Sequence, residues 1–168
     1  MDRFDILSLI VKILKFILTL IILVLYRAGD HGEFLGVGGT FELYEDKTVD
    51  VEILASGVIV GYMLYNLSVM ISYAVAKERL ANVIQDCLMN IIGIFLWMGV
   101  AGSALHYWHS AKDEWRTREI GSERDAGLAM GSFCVFNGLL HIVDAALSLK
   151  LFLDSDEVKY RTSSARRV

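Results

Sequence analysis

No proline occurs anywhere in the 168 residues, so no helix meets the ring clash that kinks or breaks one. Long elements are therefore expected to run straight, without the interrupted helices of many transporter sites. Cysteine is scarce as well. Cys87 and Cys134 are the only two, and both fall in apolar stretches, which excludes a disulfide in the connecting loops and Cys-x-x-Cys thiol chemistry. Cys87 lies at the edge of its stretch, where palmitoylation is chemically open; a small apolar filler is the better-supported reading for both. Charge is the third shortage, at 21% of residues with a net of −4, and no basic groove for nucleic acid is visible. The chain has no Gly-x-Ser-x-Gly elbow, no clustered His/Asp metal set and no internal repeat. Gly36-Val37-Gly38-Gly39 lacks the Lys-Ser/Thr and the helix start of a phosphate loop. No enzymatic activity, cofactor or metal is implied.

What the chain has is apolar residues, 55% of the total with a mean hydropathy of +0.49. They gather into four runs, residues 6–26, 53–76, 87–108 and 126–152. Each exceeds 20 residues, enough for a helix to span roughly 30 Å of hydrocarbon. Soluble helices of that length would show a polar face, and these largely lack one. The expected fold is all-α, a single four-span transmembrane bundle over residues 1–168. The first run is too long for a signal-peptide core and no small-x-small cleavage site follows it, so it reads as an uncleaved anchor.

With both termini cytoplasmic, the inner side carries ten Lys and Arg and the outer side six, the bias expected of cytoplasmic loops. Lys12 and Lys15 belong to the ten but lie inside the first run, so part of the bias rests on their snorkelling inward. This orientation puts loops 27–52 and 109–125 outside, and loop 77–86 and tail 153–168 inside.

The first outer loop holds seven acids and two bases, a charge that would draw cations to the outer face. Residues 33–44 place β-forming side chains around Gly38-Gly39, which predicts a small hairpin. Such a hairpin is marginal alone and should lie against the second loop or a partner. Phe34, Leu35, Val37, Phe41, Leu43, Tyr44 and Trp115 are the candidate partner contacts. Ser122 is a candidate N-cap for the fourth span, and His106-Tyr107-Trp108-His109 reads as an interfacial aromatic belt rather than a metal site. Asn66-Leu67-Ser68 fits the glycosylation pattern but sits mid-span, out of reach of the lumenal enzyme. The final residues support PDZ binding only weakly.

Helices in lipid associate through small residues and interhelical hydrogen bonds. Gly57 and Gly61, Gly93 and Gly99, and Gly127 and Gly131 are the expected packing seams, and they leave homo-oligomerisation open. Polar residues inside spans are costly unless paired. Asn137, His141, Asp144 and Ser148 share one face of span four, and Lys12 and Lys15 one face of span one. Counting turns from the inner side puts Lys12 level with Asp144, which predicts an ion pair, with Lys15 near His141 and with Asn66 and Asn90 extending the layer. A brace between spans one and four is the preferred reading. An ion channel or transporter path through Lys12, His141 and Asp144 is the alternative, but it would need polar residues in the outer half too.

Certain stretches also carry a resemblance. Val24-Leu25-Tyr26-Arg27-Ala28-Gly29-Asp30-His31-Gly32-Glu33-Phe34-Leu35-Gly36-Val37-Gly38-Gly39-Thr40 is the most specific. With it go Ala55-Ser56-Gly57-Val58, Met89-Asn90-Ile91-Ile92-Gly93, Ala104-Leu105-His106-Tyr107-Trp108 and Ser122-Glu123-Arg124 followed by Gly127-Leu128-Ala129-Met130-Gly131. In order and spacing, from about Ile6 to Asp144, these resemble the insect Snakeskin family. The resemblance implies a four-span component of smooth septate junctions, the occluding contacts of arthropod gut epithelia, localised together with Mesh and a tetraspanin. The architecture is similar to claudins and MARVEL proteins in span number. The outer-loop cysteine pair and the Trp-Gly-Leu-Trp-like signature of claudins are missing.

Overall fold

In the computed structural model the described residues are 3–29, 32, 34–37, 49–76, 83–110 and 120–165. They form four helices: α1 (Arg3–Ala28), α2 (Val49–Ala76), α3 (Val83–Ser110) and α4 (Ile120–Ala165). Each contains a stretch long and apolar enough to cross a bilayer: Ile6–Ala28, Val49–Ser72, Ile84–His109 and Glu123–Leu153. Proline-free sequence explains why each runs unbroken. At about 1.5 Å per residue α4 is roughly 70 Å long, so its ends project well past a hydrocarbon core of about 30 Å.

The helices form a closed ring in which α1 packs on α2 and α4, and α3 on α2 and α4, with α3–α4 the tightest pair. One end of the bundle carries the chain termini (the terminal end); the other is where α1 leads to α2 and α3 to α4 (the loop end). Burial is inverted relative to a soluble protein. Phe95 is 73% exposed and Ile10 47%, whereas Lys15, Asp144 and His141 are fully buried. Exposed aliphatic side chains would be costly in water and are matched to lipid. The fold is an all-α, four-helix transmembrane bundle.

Boundaries differ from expectation at the starts of α2, α3 and α4 and at the end of α4. α2 begins at Val49, so Glu52 is helical. α3 begins at Val83, inside the segment expected as a loop, and this draws Asp86 into the membrane-spanning helix. α4 begins at Ile120, so Ser122 is helical rather than an N-cap, and it continues through the expected tail to Ala165. The hairpin expected across residues 33–44 is not borne out. Among the described residues there is no strand. Residues 34–37 instead form an irregular plug whose backbone bonds go to the helices: Gly36 N–H donates to the Tyr26 carbonyl at 3.1 Å, and Val37 N–H donates to Glu52 Oε1 at 2.9 Å. Gly36 has φ +67°, a left-handed conformation that glycine adopts without a Cβ penalty.

Candidate functional site

The loop-end half of the interior is apolar: Ile22, Ile59, Val100, Ala104, Met130 and Cys134 are buried together with Trp97 and Trp108. The terminal half is polar, and α1 supplies its cations. Lys12 and Lys15 are three apart, so both face inward on one side of the helix. Lys12 Nζ lies 2.8 Å from Asp144 Oδ2 and 2.6 Å from Asp86 Oδ2. Lys15 Nζ lies 2.5 Å from the same Asp144 oxygen and donates to Asn90 Oδ1 at 2.6 Å. The carboxylate of Asp86 also accepts from Tyr65 Oη at 2.8 Å and from Ser148 Oγ at 2.8 Å. Two ammonium groups thus face two carboxylates, and the layer has no net charge. An unpaired lysine or aspartate at the centre of a spanning helix costs about 2.5–3.5 kcal/mol on insertion scales; pairing removes the reason for that cost.

Towards the loop end the polar residues bond to helices rather than to ions. Thr19 Oγ1 donates to the Lys15 carbonyl at 2.7 Å, and Asn137 Nδ2 donates to Thr19 Oγ1 at 3.1 Å. His141 Nδ1 is 2.8 Å from the Asn137 carbonyl, which can only accept, so Nδ1 carries the proton. The imidazole packs edge-on against Tyr62, with centroids 5.1 Å apart. Lys15 bonds to Asp144 and Asn90 and lies close enough to His141 to act on it electrostatically, while the ring contacts of the histidine are aromatic. Asn66 is buried on α2, next to Tyr65.

The structure therefore brings Lys12, Lys15, Asn90 and Asp144 together as one network. Asp86, its fourth charge, stands outside the expected layer because it falls at the edge of an expected loop. A signal was available: Asp86, Asn90, Gly93 and Trp97 follow one another at spacings of four, three and four, the periodicity that marks the polar face of α4.

The glycines divide. A Cβ at Gly93 would strike the His141 ring, and one at Gly127 would strike the Trp108 indole. At Gly131 it would meet Leu105 at 2.8 Å. These three are helix contacts. Gly57, Gly61 and Gly99 are not, since a Cβ at any of them has nothing within 4 Å among the described residues. The inner face of α2 is Ala55, Val58, Ile59, Tyr62 and Asn66, which turns Gly57 and Gly61 away from the bundle. In α3 the inward stripe of Asn90, Trp97, Val100 and Ala104 likewise leaves Gly99 on the outside.

At the loop end, Leu35 and Val37 are 0% and 1% exposed; they fill the bundle instead of facing a partner. Phe34 is half-buried against Tyr26, ring centroids 5.1 Å apart, with the Arg27 guanidinium 5.5 Å from its centre. Glu52, another residue assigned to a loop by the sequence pattern, holds this plug through Val37 N–H and through Tyr26 Oη at 3.0 Å. Trp108 is buried against α4 and does not form part of an interfacial belt. Phe41, Leu43, Tyr44 and Trp115 lie outside the described residues. Both thiols are free, and among the described residues no group of three His, Cys, Asp or Glu could hold a metal ion.

Four unbroken spans closed around a neutral ionic layer define a polytopic α-helical membrane protein. No protein-family model matches the chain, and no solved structure matches it. Protein snakeskin of Bombyx mori is 44% identical over 142 residues, covering 84% of this chain and 90% of that protein. Protein snakeskin of Drosophila melanogaster is 43% identical over 141 residues, covering 84% and 87%. The chain belongs to the Snakeskin family.

Proposed function

We propose that the chain is a structural membrane component of smooth septate junctions, contributing to the paracellular barrier of arthropod midgut-type epithelium. It is a multi-pass protein of the lateral plasma membrane with both termini cytoplasmic, it works by packing with other junction membrane proteins, and it has no enzymatic activity. The observation that carries this reading is membership of the Snakeskin family over 84% of the chain. The resemblance names Mesh and a tetraspanin as partners. The geometry is consistent with a structural role, because the buried charges of the layer neutralise one another.

The channel or transporter reading draws on the same buried charges. Against it stands the loop-end half, where Ile22, Ile59, Val100 and Met130 fill the interior and offer no polar continuation. Immunolocalisation in polarised gut epithelium, combined with a tracer-leak assay after depletion, separates the two. Lateral enrichment and a leaky epithelium support the barrier role. Absence from cell contacts, or ion conductance by the purified protein in a single bilayer, would overturn it.

A further inference from the structure

Four charged side chains meet inside the bundle, and their order along the chain is uneven. Both cations ride on α1, α2 brings no charge to the layer, and the two acids come one each on α3 and α4. A chain entering the membrane in sequence order carries two uncompensated ammonium groups in its first span. Asp86 supplies the first counter-charge, 74 residues beyond Lys12, and Asp144 the second, 132 residues beyond it. Until then Lys12 and Lys15 are unpaired charges in a helix that is otherwise apolar enough to span, a costly state. Completion of α4 is the step that makes the interior neutral.

We infer that this layer is an assembly checkpoint: the two lysines of α1 mark an unfinished bundle until Asp86 and Asp144 cover them. What the cell reads is exposed intramembrane charge, and the recognising partner is a membrane quality-control factor that binds such charge. The physical consequence is specific. Replacing a whole buried ion-pair set by neutral groups of similar size is often tolerated, whereas removing one side of it is not. Deleting two charges of one sign should therefore block delivery, and deleting the other two as well should restore it. A brace acting through stability alone would follow the same pattern, so the two are told apart by folding. A D86N/D144N chain that is retained yet purifies in detergent as a monodisperse, cooperatively melting bundle shows that the charge is read, and one that is retained because it no longer folds overturns the inference.

The test uses the full-length tagged chain in epithelial cells, read by surface biotinylation and by half-life. D86N/D144N strands both lysines and lowers the surface fraction roughly tenfold, with faster turnover. K12M/K15M strands both acids and acts in the same direction. K12M/K15M/D86N/D144N returns the surface fraction to within about twofold of the native chain. Normal delivery of D86N/D144N overturns the inference, and so does retention of the four-fold variant. Size-exclusion of that variant in detergent says why it is retained: a monodisperse chain shows that charge is not what is read, and an aggregated one shows that the charges are needed for packing itself. Delivery is measured apart from junctional position, so failure here is distinguishable from failure of the septate-junction reading.

Discussion

Asp86 and Lys12 stand 2.6 Å apart across 74 residues of chain, and the same carboxylate reaches two further helices. Its oxygens accept from Lys12 on α1, Tyr65 on α2 and Ser148 on α4, so one side chain of α3 touches every other member of the ring. Asp144 has a different task, since among the described residues its partners are the two lysines. Asp86 joins helices while Asp144 neutralises α1.

That division predicts an order of damage. Asp144→Leu leaves Lys15 with no carboxylate and should cost about 3–5 kcal/mol, the range for breaking a buried pair from one side. Asp86→Leu should cost less, because Lys12 keeps Asp144 and the Asp86 side chain is 19% exposed. Asp86→Asn should be milder again, since its carbonyl still accepts from Tyr65 or Ser148. Thermal unfolding of the purified variants in detergent ranks them; Asp86→Leu proving more damaging than Asp144→Leu would reverse the assignment.

The four spans were legible because lipid imposes a simple rule of length and apolarity, and no proline or internal charge cluster obscured it. The Lys12–Asp144 pair was legible for a similar reason: depth can be counted at a constant rise per residue. Helix ends were less readable. Asp86 and Glu52 look like loop acids because each stands within a few residues of a charged stretch, and only the helix start at Val83 or Val49 shows them as inward groups. Direction around the axis was the other limit. Gly57-x-x-x-Gly61 fits a packing motif, yet spacing alone does not say whether that face meets a helix of the same chain.

The glycines supply a second prediction. Gly93→Ala places a methyl group 3.0 Å from His141 Nε2 and 3.1 Å from Tyr62 Cε1, so the variant should lose about 1–3 kcal/mol by overpacking. Gly57→Ala and Gly61→Ala meet open space and should leave the isolated bundle within about 0.5 kcal/mol of native. Melting curves in detergent decide it, and equal losses at Gly57 and Gly93 would show that the α2 face is packed inside the bundle.

Glu52 should behave as the latch of the loop-end plug. Glu52→Ala removes the acceptor for Val37 N–H and the shorter of two acceptors for Tyr26 Oη, which keeps the Glu52 backbone carbonyl at 3.3 Å, at about 1–3 kcal/mol for a buried donor left without its partner. Glu52→Gln keeps a carbonyl for Val37 and should retain most of the stability. Gly36→Ala should resemble Glu52→Ala, because a Cβ there meets Glu52 Oε1 at 2.5 Å and the φ of +67° is strained for alanine. Limited proteolysis of the first loop reads all three: Glu52→Ala and Gly36→Ala are cleaved faster, Glu52→Gln close to the native rate.

The membrane orientation is the prediction that the ionic layer changes most. An even number of spans puts both termini on one side, and the charge rule chooses the side. Lys12 and Lys15 add to the inner count only if they snorkel, but both are buried and bound to aspartates inside the bundle. Without those two, the ten inner Lys and Arg become eight, against six outside. The surviving excess lies at the chain ends and the middle loop: Arg3, Lys77, Arg79, Lys150, Lys159, Arg161, Arg166 and Arg167. Lys12→Met/Lys15→Met should then leave the topology unchanged. In intact cells an epitope inserted at Gly38 of the native chain is stained directly, and one placed after Val168 only after permeabilisation. In the doubly substituted chain, read inside cells whose plasma membrane alone is permeabilised, the Val168 epitope is stained and the Gly38 epitope stays protected. Inversion in the double variant would mean that the two lysines act during insertion as topogenic charges before they become paired ones.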